Sequence, residues 1–136
     1  MRRVQSITRK HLRSTKRLET NNEATCCINL GIAYRSVGEY EKARELFEES
    51  LAILKEIGDR NGKARTCYVN LGTVYLSTGE YEKARELFEK SLAIHKEIGD
   101  RNGEAACYGN LGTVYESVGE YEKARSRTFR GVTCDP

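Results

Sequence analysis

Gly38–Ile53 reads GEYEKARELFEESLAI, and Gly79–Ile94 reads GEYEKARELFEKSLAI. The two stretches differ only at Glu49 and Lys90. Outward from them, Asn29-Leu30-Gly31-x-x-Tyr34 precedes the first and Asn70-Leu71-Gly72-x-x-Tyr75 the second. Asn110-Leu111-Gly112-x-x-Tyr115 opens a third copy that fails after Arg125. The repeat glycines lie 41 residues apart, then 40. A period near 40 residues signals a stacked-repeat architecture, in which each unit buries its apolar face against the next. Such arrays act through extended binding surfaces.

Each unit predicts two helices. Helix A of the first runs from about Glu23 to Val37, with Ala24, Cys27, Leu30, Ile32 and Tyr34 at three- and four-residue spacing. Gly38 supplies the left-handed residue that ends a helix. Helix B runs from about Tyr40 to Ile57, with Tyr40, Ala43, Leu46, Phe47, Leu51, Leu54 and Ile57 as its buried stripe. Arg44 and Glu48, like Arg85 and Glu89, pair outward at i,i+4. Gly58 closes that helix, and Asp59-Arg60-Asn61-Gly62 forms a polar turn whose Asp or Asn can cap the next. The second unit predicts helices over about Lys63–Thr78 and Tyr81–Ile98, and the third a helix over about Glu104–Val118. One extra residue within Lys63–Cys67 is expected to be absorbed at the start of its helix, since a residue inserted mid-helix turns the face by about 100°.

Gly31, Gly72 and Gly112 stand in mid-helix, where Gly costs about 1 kcal/mol against Ala. Close approach of helix B explains that cost. Tyr34, Tyr75 and Tyr115 are expected to fill the space between helices, with Ala43, Ala84 and Ala124 keeping the second contact tight.

Both ends decay. Lys10–Ala24 aligns loosely, one residue short, with Lys90–Ala105, so the head reads as a degraded helix B of a preceding unit. Arg127 and Thr128 stand where Leu87 and Phe88 are buried, and the third helix B is expected to be missing beyond about Arg125. The organisation is then a basic segment 1–22, units 23–62 and 63–103, a partial unit 104–126 and an irregular tail 127–136.

The net charge of +3 hides an asymmetry. Seven Lys and Arg residues precede the first acid, Glu19, so a head of +7 joins a body of −4. The head admits three readings: a solvated helix, a salt-dependent contact with acidic lipid or nucleic acid, or a targeting presequence. The aromatics do not interleave with these charges, which argues against nucleic acid. No apolar run reaches the roughly 18 residues of a membrane span, and the N-terminus lacks the apolar core of a secretory signal. The five cysteines form no C-x-x-C pair and are an odd number, which fits reduced thiols in the cytoplasm better than a disulfide framework or zinc site. Cys26, Cys67 and Cys107 share one position and read as a column of small buried hydrophobes. Asp59-Arg60-Asn61-Gly62 fails the calcium-loop spacing. No phosphate-binding glycine loop, nucleophile elbow or zinc-protease motif occurs, so an enzyme, a cofactor and a small-molecule substrate are not expected.

The pattern Asn29-Leu30-Gly31-x-x-Tyr34, then Gly38, Tyr40, Ala43 and Phe47, resembles the tetratricopeptide repeat over about residues 23–125. The 40-residue spacing and the GDRNGEA linker look more like the Pins/LGN polarity adaptors than the commoner 34-residue form. Ser50 and Ser91 depart from the family's frequent Ala, and a terminal capping helix is absent. The resemblance implies an all-α, right-handed α-solenoid of stacked antiparallel hairpins, incomplete at both ends. It further implies a protein–protein interaction scaffold with helix A lining a concave groove.

By position, that groove would show Thr25, Ile28, Asn29, Ile32 and Arg35, then Thr66, Val69, Asn70, Thr73 and Leu76, then Asn110, Thr113 and Glu116. The column Asn29, Asn70, Asn110 is the sharpest candidate. An amide both donates to and accepts from a peptide backbone. Equally, each Asn can bond the neighbouring helix and align the units. No paired Lys and Arg stand at these positions, so a basic clamp on a terminal carboxylate is not expected. The expected partner is a protein or peptide segment. The alternative is a fragment of a longer array that self-associates through its open ends.

Overall fold

The computed structural model describes the backbone of residues 2–59 and 62–133, and side chains within 9–59 (Ser14 excepted) and 62–122. Five helices follow in order: α1 Arg2–Ser36, α2 Tyr40–Ile57, α3 Lys63–Ser77, α4 Tyr81–Ile98 and α5 Arg101–Thr133. Each packs on the next, and α1 also touches α3. This is an all-α repeat solenoid, as the pattern implied.

The turns are written in glycine. Gly38, Gly58, Gly79 and Gly99 take φ of 83°, 77°, 81° and 75°. A side chain would be strained there. Gly58 N–H donates to the Lys55 carbonyl at 3.2 Å and Asp59 N–H to that of Leu54 at 2.9 Å, and Gly99 and Asp100 repeat the arrangement on Lys96 and His95. These paired bonds satisfy carbonyls that a helix end leaves open. Both B helices therefore have the predicted bounds, Tyr40–Ile57 and Tyr81–Ile98.

Phe47 and Phe88 are fully buried, each worth roughly 2–3 kcal/mol of transfer free energy. Each ring lies flat on a helix-A glycine: a Cβ built on Gly31 would stand 2.8 Å from Phe47 Cε1, and one on Gly72 2.8 Å from Phe88 Cε1. The expected close approach holds for these two units. Ala43 and Ala84 are fully buried beside it. Ser50 is also fully buried, its hydroxyl donating to the Ala24 carbonyl at 3.1 Å. Cys67 donates to that same hydroxyl at 3.4 Å, and Cys107 to Ser91 at 3.5 Å. A serine thus satisfies a buried carbonyl and receives the next unit's thiol, which the smaller Ala could not do. Arg44 meets Glu41 and Glu48, and Arg85 meets Glu82 and Glu89, on the outer face.

The ends differ from expectation. The head is not a separate, degraded helix B: α1 runs unbroken from Arg2 through helix A. Glu19 stands where the left-handed Gly99 ends α4, and Glu cannot easily take that conformation. Arg17 still reaches the end of α2, donating to the Ile57 carbonyl at 3.0 Å. A cation there is favoured by the helix dipole. Likewise α5 does not stop near Val118. It continues through Gly119 to Thr133, so residues 127–133 of the expected irregular tail are helical. Gly38 and Gly79 break their helices where Phe47 and Phe88 fold back. The third copy carries Arg127 and Thr128 at the equivalent places, and no apolar stripe draws the chain round. The side chains of Ala124, Arg127 and Thr128, and Cys134 altogether, lie outside the described residues, as do Arg60 and Asn61. The connections also differ: α3 begins four residues after Asp59, whereas α5 begins directly after Asp100.

Two further expectations need correction. Gly112 has nothing within 4 Å of a built Cβ among the described residues, and Tyr115 is 58% exposed against 7% for Tyr75. The third helix A has no helix B against it, so neither residue fills an interhelical space. Cys26 is exposed while Cys67 and Cys107 are buried. No preceding helix packs on α1 at that position; for the same reason Leu30 is 49% exposed and Leu71 only 4%.

Candidate functional site, the helix-A face

The A-helix segments of α1, α3 and α5 present the positions expected to line a groove. Asn29, Thr66, Thr113 and Glu116 are exposed, and Thr25, Ile32, Arg35, Val69, Thr73, Leu76 and Asn110 are half-buried. Ile28 is not displayed. It lies in the core with Ala24 and Phe47, because α1 turns that side toward α2.

The asparagine column is not uniform. Asn70 is buried, and its amide is engaged twice. Its Oδ1 accepts from Arg35 Nη1 at 2.6 Å, and its Nδ2 donates to the Thr66 carbonyl at 2.9 Å. The first bond crosses from α1 to α3 and aligns two units. A hydrogen bond from a guanidinium is stronger than a neutral one. Asn29 is exposed and Asn110 half-buried. The structure brings Arg35 and Asn70 together; it gives the other two asparagines different surroundings.

Thr73 donates to the Val69 carbonyl at 2.9 Å, and Thr113 to that of Gly109 at 3.1 Å. With their protons committed to the helix, these hydroxyls face outward as acceptors. At one register position the three units carry Arg35, Leu76 and Glu116 in turn.

Sequence reasoning missed a second set of long-range polar contacts. Lys63 Nζ donates to Asn21 Oδ1 at 3.0 Å and to the Thr25 hydroxyl. Arg65 pairs with Asp100 at 3.3 Å, and Asp100 meets His95 Nδ1 at 3.1 Å. Gly103 N–H donates to Asp100 Oδ1 at 3.0 Å. That bond, followed by those from His95 and Arg65, holds the Asp100 carboxyl below the usual carboxylate range. The signal was present at His95, a polar residue at the place where the first unit has the fully buried Leu54. Lys63 and Arg65 gave none, since their partners lie 42 and 35 positions away in sequence.

Tyr75 Oη donates to Glu48 Oε1 at 3.0 Å. Burial, then this bond, pushes its phenol up. Burial also raises the Cys27 and Cys67 thiols, which makes them poor nucleophiles. Among the described residues no group of three or more His, Cys, Asp or Glu side chains could hold a metal ion. No described helix is long and apolar enough to cross a membrane.

Helix hairpins stacked on glycine–phenylalanine contacts, with a continuous helix-A face, define a helical-repeat interaction module. Tetratricopeptide-repeat models match residues 24–57 and 63–127, and the chain belongs to that family. Its repeats generally mediate protein–protein interaction and are typically non-catalytic. Solved structures share the fold. BtubC (BKLC) from P. vanneervenii is 24% identical, with a TM-score of 0.66 over 83% of this chain and 48% of that one. The TPR domain of Arabidopsis FLU is 22% identical, with a TM-score of 0.58 over 80% and 97%. The nearly identical TPR-like repeats of a candidate kinesin light chain from Podosopora anserina are 23% identical, with a TM-score of 0.61 over 77% and 51%. The chain thus matches about half the length of BtubC and of the Podosopora protein. No curated protein matches it in sequence.

Proposed function

We propose that this chain is a non-catalytic adaptor that holds a peptide or protein segment along the A-helix face of α1, α3 and α5. The carrying observation is the divergence of that face where the B helices stay nearly constant. Arg35, Leu76 and Glu116 occupy one register position with a cation, an apolar group and an anion. A segment bearing acidic, apolar and basic groups in that order complements them. Asn29 and Asn110 would bond its backbone, with Thr73 and Thr113 as acceptors and Ile32 and Val69 as apolar contacts. Asn70 and Arg35 align the units as well as facing the ligand. The free thiols Cys26, Cys27, Cys67 and Cys107 support a reducing, cytoplasmic setting.

The test is an array of extended peptides with acidic–apolar–basic and reversed charge order, probed with the wild-type chain and with Arg35→Glu/Glu116→Arg. The wild type should prefer the first order and the swapped variant the second. An unchanged preference would overturn the groove reading. Asn70→Ala separates the two roles of that residue: it should lower stability by about 1–3 kcal/mol by removing the charge-assisted bond from Arg35 that joins α1 to α3, while Asn29→Ala should weaken capture without moving the melting curve.

A second reading, self-association through the open N-terminal end, is favoured by exposed Leu30 and Val37 on α1. The equivalent of Leu30 in the second unit, Leu71, is buried. Light scattering decides it: a strict monomer at high concentration removes this reading.

A further inference from the structure

The third A helix is an unoccupied copy of a face that the molecule fills twice elsewhere. On α1 and α3, the glycine of the repeat lies under a phenylalanine ring, and Tyr34 and Tyr75 flank it. On α5 the same positions are Gly112 and Tyr115. Among the described residues nothing approaches the first within 4 Å, and the second is exposed. Tyr108, one turn earlier, is exposed too. The adjoining side of α5 is complete: Cys107, Leu111 and Val114 are buried against α4. The open face is therefore continuous with a formed interface. Residues up to Thr133 do not fold back over it, because α5 is one continuous helix to that point.

What fits there is stated by the two filled copies. Each is covered by an amphipathic helix with Ala, then Phe four residues later, then Ser three residues after that: Ala43, Phe47, Ser50 and Ala84, Phe88, Ser91. The Ala lets the backbones approach, the Phe ring sits on the glycine, and in the first copy the Ser satisfies a helix-A carbonyl, Ser50 donating to Ala24. We propose that the Gly112–Tyr115 face of α5 is a docking site for one amphipathic helix of this pattern, supplied by another polypeptide. The site is distinct from the groove proposed above at Asn110 and Thr113, which stand on other sides of α5, and it meets that groove only at Glu116, one turn after Gly112. It takes a helix, where the groove takes an extended segment.

The occupant can be mimicked with the protein's own sequence. A fluorescein-labelled peptide spanning Tyr81–Ile98 is titrated with the full chain and anisotropy is followed. Saturable binding is expected, weakened about tenfold or more when the peptide carries Phe88→Ala, the ring being the anchor. A chain carrying Gly112→Leu should lose binding altogether, because its side chain fills the place of the ring. Gly112 is exposed on a helix, so this variant should keep the wild-type circular dichroism spectrum and melting curve or improve on them. Three outcomes overturn the proposal. The peptide fails to bind at millimolar concentration. It binds the Gly112→Leu chain equally well, which would place it elsewhere or in exchange with α4. Or the chain dimerises in a Gly112-dependent manner that the peptide does not compete, which would make a second copy the occupant.

Discussion

Gly72 and Gly112 occupy the same place in the same motif, yet alanine should act on them in opposite directions. In either helix the change recovers about 1 kcal/mol of helix propensity. At Gly72 the new Cβ would lie 2.8 Å from Phe88 Cε1, 3.0 Å from Cζ and 3.1 Å from Cδ1. Carbon atoms separated by less than about 3.4 Å repel strongly, their optimum being about 3.5–4.0 Å. Phe88 is fully buried, so the ring must push α4 outward. Such overpacking costs roughly 1–3 kcal/mol, and Gly72→Ala should lose about 1 kcal/mol net. At Gly112 there is no such contact, and the propensity gain of about 1 kcal/mol stands alone. The gap between the two variants is about 2 kcal/mol. For a chain of this size, each kcal/mol moves the melting temperature by about 3–5 °C. Thermal melts followed at 222 nm should place Gly112→Ala above the wild type and Gly72→Ala below it. Equal stabilisation by both changes would refute the argument, because it would mean that Phe88 does not rest on helix A.

Ser50→Ala removes a buried donor to the Ala24 carbonyl and the acceptor of the Cys67 thiol; urea denaturation should show a loss of about 1–2 kcal/mol. In a Cys134→Ser background, a disulfide reagent should modify exposed Cys26 first and buried Cys67 and Cys107 slower by about a hundredfold or more. Uniform rates by peptide mass spectrometry would contradict the burial pattern. The Gly103 N–H, then His95 and Arg65, hold the Asp100 carboxyl below the usual carboxylate range, so its contribution is present above the ordinary Asp range and is lost as pH falls through the lower folded value. Denaturation midpoints of the wild type and Asp100→Asn should therefore differ at neutral pH and converge on acidification.

The interior of the array was legible because its signals are local. A glycine at positive φ, an apolar stripe of period 3.6 and a closing glycine fix α2 and α4 to the residue. The ends were not legible, because they depend on what is absent. Gly119 has the same neighbours as Gly38, and differs from Gly79 only in Val118 for Thr78, but those two break a helix only where a Phe folds back. Glu19 shows the converse: without a residue that tolerates positive φ, helix-forming sequence on both sides reads through. The candidate groove was legible as a face and not as a set of partners. Ile28 carried no mark of burial, and the Arg35–Asn70 bond joins residues 35 positions apart.

The serine–cysteine contacts give the stack a direction. Each thiol donates back to the serine of the unit before it, and the serine of the first unit donates back to a carbonyl of its own helix A. Both junctions therefore carry the thiol on the later unit and the hydroxyl on the earlier one, in the same order. A unit inserted in register would meet the same thiol and hydroxyl on its two sides, though the connections at the two junctions differ in length. On this view the near-identity of Gly38–Ile53 and Gly79–Ile94 reflects an array whose length is free to change while its polarity is not.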